Sequence, residues 1–280
     1  MTDPIASCHF IAGTAVSGPD SSIQGFNPAT GEAFGAFYPE AGSVEVNSAL
    51  EAAADAALMD PSWRSAVKRA EFLEAVAAEI EALGDRLIET AMAETGLPQA
   101  RLIGERGRTC GQLRAFASHL TADSNRLTPF VDKADPDRQP LPKPGLVRTQ
   151  EPLGTVVVFG ASNFPLAFST AGGDAASAWA AGCPVVVKAH PSHPNTSQLV
   201  GEAINRAVSA CGLPGGVFSQ LHGLAETGRL LVSHPLTSGV GFTGSKSAGL
   251  ALWSLASERA CPIPVFAEMG SVNPQIFLPS

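Results

Sequence analysis

The sequence is short of charge. Of 280 residues, 16% are charged against 45% hydrophobic, a globular composition somewhat poor in ionic surface. The charge present leans acidic, 18 Lys and Arg against 26 Asp and Glu, for a net −8. Such a surface repels phosphate backbones, so no nucleic-acid partner is expected. No apolar run is continuous enough for a membrane span: the longest weakly apolar stretch, 164–183, contains Gly172, Gly173 and Asp174. Met1-Thr2-Asp3-Pro4 brings neither a basic region nor an apolar core, so no secretory signal is expected. There is no CxxC pair, and Cys8, Cys110, Cys183, Cys211 and Cys261 stand apart from histidines at metal-ligand spacing. Reduced thiols, a cytoplasmic location and no bound metal are the expectation. Also missing is GxGxxG. Gly239 and Gly244 have the separation of a Walker loop, but Ser245 intervenes before Lys246.

What is there begins with residues 1–42, rich in Gly, Pro, Ser and Thr, where Asn27-Pro28-Ala29-Thr30-Gly31 reads as a turn between short strands. From Ser43, a cap candidate, the period becomes helical through Val44, Val46, Leu50, Ala54 and Leu58. Phe72, Leu73, Val76, Ile80, Leu83, Leu87 and Ile88 predict a second helix ended by Gly96-Leu97-Pro98, and 99–120 a third. In 121–150, Asp135-Pro136-Asp137 and the run from Pro140 to Gly145 exclude helix and predict an extended arm, with a strand at 146–149.

Beyond Glu151, β-branched runs at 155–160, 184–189, 216–223, 238–243 and 264–268 alternate with helical segments at 164–182, 194–212, 226–233 and 245–260. Val185-Val186-Val187 has no polar face, as when helices cover both sides of a parallel sheet. The expected fold is therefore α/β: an open, doubly wound parallel sheet with an N-terminal helical layer and an extended arm. Ligands of such sheets bind beyond the carboxyl ends of the strands.

Chemistry-bearing residues stand at those ends. Gly160 permits close backbone approach, and Asn163 reads either as an amide donor to an oxyanion or as a helix N-cap. Lys188 closes an apolar strand, facing ribose hydroxyls or a 2′-phosphate, or else snorkelling into solvent. His190 and His193 read as phosphate contacts or as solvated loop residues. The glycines from Gly241 to Gly249 read as a phosphate loop at a helix N-terminus or as an ordinary turn. Glu268 reads as a desolvated base or as a paired structural carboxylate.

Asn163-Phe164-Pro165, Lys188, Phe242-Thr243-Gly244-Ser245 and Glu268-Met269-Gly270, with Asn27 to Gly31 and Glu94-Thr95-Gly96, resemble the aldehyde dehydrogenase superfamily in order and spacing over nearly the whole chain. The resemblance implies a Rossmann-like cofactor sheet without GxGxxG. It gives Gly160, Ser162, Lys188, Ser192, Gly244, Ser245 and Gly249 to the dinucleotide, Asn163 to the oxyanion and Glu268 to the deacylating water. It also implies a cysteine nucleophile after the glutamate, passing through a thiohemiacetal and a thioester. No cysteine follows Glu268, and Cys261 precedes it. The expectation is an N-terminal portion without its catalytic domain, inactive by itself, from a homo-oligomeric enzyme. It divides into a helical part at 1–122, an arm for oligomerisation at 123–150, a Rossmann-like part at 151–267 and the start of the catalytic domain at 268–280.

The segments Lys188 to Pro194, Gly160 to Phe164 and Glu105-Arg106-Gly107-Arg108-Thr109 resemble α-ketoglutaric semialdehyde (2,5-dioxovalerate) dehydrogenases. NADP-linked fatty-aldehyde enzymes share several of these features. An acidic semialdehyde such as 2,5-dioxopentanoate calls for an arginine, and Arg108 is the candidate, against a plain surface charge. NAD-preferring relatives place a glutamate where Pro191 stands, so the resemblance favours NADP, with NAD as the alternative. A non-catalytic nucleotide-binding module is the competing reading.

Overall fold

The computed structural model describes residues 5, 7–18, 21–59, 61–122, 129–271 and 273–278. A short antiparallel pair, β1 (His9–Ile11) and β2 (Thr14–Val16), precedes a longer hairpin of β3 (Ser21–Asn27) and β4 (Glu32–Pro39). The hairpin turn is the one predicted: Asn27 Oδ1 accepts the Ala29 amide at 2.9 Å, and Gly31 takes φ +77°.

Helices α1 (Ser43–Met59), α2 (Pro61–Arg64), α3 (Ala66–Ala82), α4 (Gly84–Thr95) and α5 (Gln99–Thr121) follow. Ser43 lies within α1, and it is Glu45 that reaches back to accept the Gly42 amide at 2.9 Å. The run from Phe72 to Ile88, predicted as one helix, breaks where Gly84 takes φ +57°. The predicted stop at Gly96 holds, with φ +67° closing α4. In the arm, β5 (Phe130–Asp132) pairs antiparallel with β6 (Leu146–Arg148). The predicted start of the arm, 123–128, lies outside the described residues.

Then strands and helices alternate as the sequence predicts: β7 (Thr155–Phe159), α6 (Gly173–Ala180), β8 (Val185–Lys188), α7 (Pro194–Ala210), β9 (Phe218–Leu221), α8 (Ala225–Ser233), β10 (Thr237–Thr243), α9 (Lys246–Ser257) and β11 (Val265–Glu268). The parallel order is β11-β10-β7-β8-β9. Beyond β9 the sheet gains β1 and then β2, both antiparallel, an extension not predicted.

Strand alternation divides the core in two. Val156, Val158, Val185, Val187 and Phe218 join one cluster with Phe72, Leu73, Leu113 and Trp179. Val157, Phe159, Val186, Leu221 and Val240 join the other with Val46, Leu50 and Leu231. The N-terminal helices are thus shared between the faces, α3 and α5 on one side and α1 on the other. Both faces are covered, which makes this a doubly wound sheet and explains the unbroken valine runs.

Candidate functional site

The parallel strands wind outward from β7 in both directions, through β8 to β9 and through β10 to β11. The switch lies between β7 and β10, and its carboxyl edge carries Phe159-Gly160 and Thr243-Gly244. Lys188 ends β8 in register with Phe159 on one side and Leu221 on the other.

The Lys188 ammonium does not snorkel freely into water. It donates to the Ala189 carbonyl at 3.3 Å and enters no salt bridge with a described residue. Desolvation lowers its pKa to about 8, opposed by the charge of Glu40. Glu40 precedes α1, where its Oε1 accepts the amide of Leu224, the residue ahead of α8, at 3.1 Å. Two more bonds fasten this seam: Ala41 N–H to the His222 carbonyl at 2.9 Å, and Thr227 Oγ1 to the Ala41 carbonyl at 2.7 Å.

Of the two histidines in the next loop, His193 fits neither reading given for it, and His190 is half-buried. His193 is fully buried, its Nδ1 3.1 Å from Ser197 Oγ and its Nε2 2.9 Å from the Ala161 carbonyl. It ties the β8–α7 loop to the β7 loop and is neither solvated nor open to a phosphate. His190 stacks on it at 5.5 Å and accepts the Ser192 amide at 3.1 Å; burial, with His193 and Lys188 adding, lowers its pKa to about 3. Both rings are neutral at physiological pH.

The helix predicted from Phe164 begins only at Gly173. The intervening chain is held in turns by Glu105 of α5, whose Oε1 accepts the amides of Leu166 and Ala167 at 2.9 and 3.0 Å. Asn163 is therefore not an N-cap. It is exposed, its side-chain amide makes no hydrogen bond to a described residue, and its carbonyl accepts from Arg101 at 3.1 Å. Arg101 lies over Phe164 at 4.5 Å and Arg108 over Phe168 at 4.8 Å, so one helix face braces this loop twice. Arg108 is exposed, as the surface-charge alternative requires, but the stacking gives its guanidinium a fixed address.

A cavity of about 330 Å³ brings Ser162, Asn163 and Ser192 together with Pro28, Glu94, Thr95 and Leu97. A larger one, about 760 Å³, opens at the opposite, amino edge of the strands, around Gly154, Thr155, Gly182 and Ser238. The carboxyl edge carries the candidate residues, so the smaller cavity is the one adjoining them.

On the other side of the switch, Ser245 caps α9, its Oγ accepting the Ala248 amide at 3.3 Å. With Ala248 capped, the amides of Lys246 and Ser247 remain at the open start of α9, where helix geometry offers them no acceptor and an anion is suited. The Gly244 amide donates to the Glu268 carbonyl at 3.1 Å, and a Cβ on Gly249 would meet Met269 Sδ at 2.5 Å. Glycine at 249 thus serves close packing. Glu268 departs from expectation: it is exposed at the end of the edge strand β11 rather than buried.

These parts suit a dinucleotide: a desolvated ammonium without a bonded carboxylate, open helix amides, and polar side chains around one cavity. Sequence reading missed Glu40 and the bracing by Arg101 and Glu105. Their contacts span 61 to 184 residues, and only Glu105 carried any signal, as part of the resemblance.

The switch point and its polar strand ends define a doubly wound α/β domain with a ligand edge. Residues 15–280 match the aldehyde dehydrogenase family, and the chain belongs to it. It is 53% identical to α-ketoglutaric semialdehyde dehydrogenase 2 of Azospirillum brasilense, covering 96% of this chain and 51% of that protein. Identity to α-ketoglutaric semialdehyde dehydrogenase of Acinetobacter baylyi is 46%, with the same coverage. Aldehyde dehydrogenase C of Pseudomonas syringae, crystallised with NAD+ and octanal, superposes with a TM-score of 0.83 at 25% identity, over 100% of this chain and 53% of that one. The chain spans about half the length of the curated relatives it matches.

Proposed function

We propose that this chain forms the dinucleotide-binding part of an enzyme that oxidises an acidic semialdehyde, of the 2,5-dioxopentanoate type, to the carboxylic acid. The observation that carries the reading is the Lys188 ammonium, desolvated at the sheet edge and, among the described residues, hydrogen-bonded only to the Ala189 carbonyl. Similarity to two α-ketoglutaric semialdehyde dehydrogenases supports the substrate class.

In this reading Lys188 and Ser192 hold the adenosine ribose, with Gly160 and Ser162 lining the approach. Gly244, Ser245 and Gly249 present the N-terminus of α9 to the pyrophosphate. The Asn163 amide donates to the developing oxyanion, and Glu268 takes a proton from the deacylating water. Arg108, fixed over Phe168, pairs with the acid end of the substrate. When bound, the nicotinamide supplies the electron acceptor. Pro191 leaves the ribose side without the carboxylate that would repel a 2′-phosphate there, which favours NADP and keeps NAD as the alternative.

Aldehyde oxidation in this family needs a thiolate. Burial raises the thiol pKa of Cys8, Cys110, Cys183 and Cys211, and Cys261 lies on the loop between α9 and β11. We assign none of them as nucleophile. The domain division is proposed as 1–122, 123–150, 151–267 and 268–280, with the β5–β6 arm serving a homo-oligomer of the whole enzyme in the cytoplasm. Among the described residues, no helix is long and apolar enough to cross a membrane. Calorimetric titration of the purified chain with NADP and NAD, beside an assay with 2,5-dioxopentanoate, tests the reading. Nucleotide binding without turnover is expected; absence of binding, or turnover by the chain alone, contradicts it.

A further inference from the structure

Position 191 offers no carboxylate to the ribose, yet the fold brings one to the same edge from another direction. Glu40 stands between β4 and α1, 148 residues before Lys188 in the chain. Its place is set by three tethers. Its own Oε1 accepts the Leu224 amide at 3.1 Å, Ala41 donates to the His222 carbonyl at 2.9 Å, and Ala41 accepts from Thr227 Oγ1 at 2.7 Å. Lys188 borders the same seam. Its register partner is Leu221, Ala189 donates to the Leu221 carbonyl at 2.9 Å, and a Cβ on Gly228 of α8 would lie 3.9 Å from Lys188 Cδ.

The second oxygen of Glu40 makes no hydrogen bond to a described residue, and no ion pair joins Glu40 to Lys188. Carboxylate and ammonium thus border one seam without an ion pair joining them. A vicinal diol has the chemistry to bridge such a pair, its hydroxyls donating to the carboxylate and accepting from the ammonium. A phosphate monoester pairs with the ammonium but is repelled by the carboxylate.

We infer that Glu40 is a specificity-determining residue of the adenosine-ribose site, supplying from the seam ahead of α8 the carboxylate that position 191 lacks. The inference rests on the dinucleotide reading above and qualifies its cofactor preference. Pro191 admits the 2′-phosphate, Glu40 opposes it, and the chain binds NAD and NADP with affinities within about tenfold of each other.

The test is calorimetric titration of the full chain, and of Glu40→Gln, with NAD, NADP and 2′,5′-ADP. The amide keeps the acceptor for Leu224 and loses only the charge. Glu40→Gln is expected to shift the NADP-to-NAD affinity ratio toward NADP by tenfold or more, and to tighten 2′,5′-ADP. An unchanged ratio in a folded variant overturns the inference and leaves the dinucleotide reading intact. Binding of neither dinucleotide to the unaltered chain overturns that reading and the inference with it. Should the variant fail to fold, the unaltered chain decides: a preference for NADP above a hundredfold refutes the inference, and affinities within tenfold support it.

Discussion

Glu94 on α4 receives both first-turn donors of Thr196 on α7, the amide at 2.8 Å and Oγ1 at 2.7 Å. Its other oxygen takes the amide and Nδ2 of Asn195, each at 2.8 Å, while Asn195 Oδ1 accepts from Tyr38 of β4 at 2.9 Å. One buried carboxylate thus joins α4, α7 and the β3–β4 hairpin. Burial still pushes its carboxyl pKa up, against four donors that pull it down. Glu94→Ala would strand two backbone donors and is expected to cost about 3 kcal/mol. That corresponds to a fall of roughly 6–12 °C in melting temperature, readable by differential scanning calorimetry, with Thr196→Val costing only about 1 kcal/mol. Equal losses in the two variants would contradict this ranking.

Acid sensitivity follows from the seam between β1 and β9. His222 is buried against Tyr38, with ring centroids 4.3 Å apart, and His9 Nδ1 accepts the His222 amide at 3.2 Å. Burial lowers the His9 pKa from 6.5 to about 4 and drives His222 well below 6.5. Below pH 6.5 the unfolded chain takes up protons that the folded chain refuses. Stability is therefore full above 6.5 and declines as pH falls toward 4. For His9 the loss at pH 5 is about 2 kcal/mol. Urea midpoints at pH 7.5 and pH 5 measure it, and a flat profile across that interval would count against buried neutral rings.

The inner parallel strands were legible because they are buried on both faces, which puts their signal in local runs such as Val185-Val186-Val187, and β11 at the edge still showed through its own apolar run. Their ends were legible too, since Lys188, Gly244 and Glu268 interrupt those runs. What escaped depends on distant partners. The helix expected at Phe164 yields to turns because Glu105 takes the Leu166 and Ala167 amides from another helix. β1 joins the sheet by pairing Phe10 with Gln220, and nothing near Phe10 announces that. Glu268 looked desolvated from its apolar neighbours, yet β11 is an edge strand and leaves it exposed.

The Glu105 brace makes a prediction about motion. In Glu105→Ala the amides of Leu166 and Ala167 lose their acceptor, and the chain around Asn163 loosens. Hydrogen exchange in peptides spanning 161–170 is expected to quicken by tenfold or more, while exchange in β8 stays as it was. Uniform acceleration across both segments would mark a global loss of stability instead.

Lys188 predicts the pH dependence of nucleotide binding. Its pKa near 8 means that the ammonium is largely charged at pH 7 and largely neutral by pH 9.5. NADP affinity is expected to weaken about tenfold across that range in the native chain and to stay level in Lys188→Met. A matching pH response in the variant would move the titration to another group.

The central claim is that the edge built by Lys188, Ser192, Gly244 and Ser245 holds a nicotinamide dinucleotide. Isothermal titration of the 280-residue chain with NADP and NAD at pH 7, repeated with Lys188→Met, tests it most directly. The account predicts one saturable site per chain, weakened at least tenfold in the variant. No heat from either dinucleotide at millimolar concentration, or equal affinity in the variant, would contradict it.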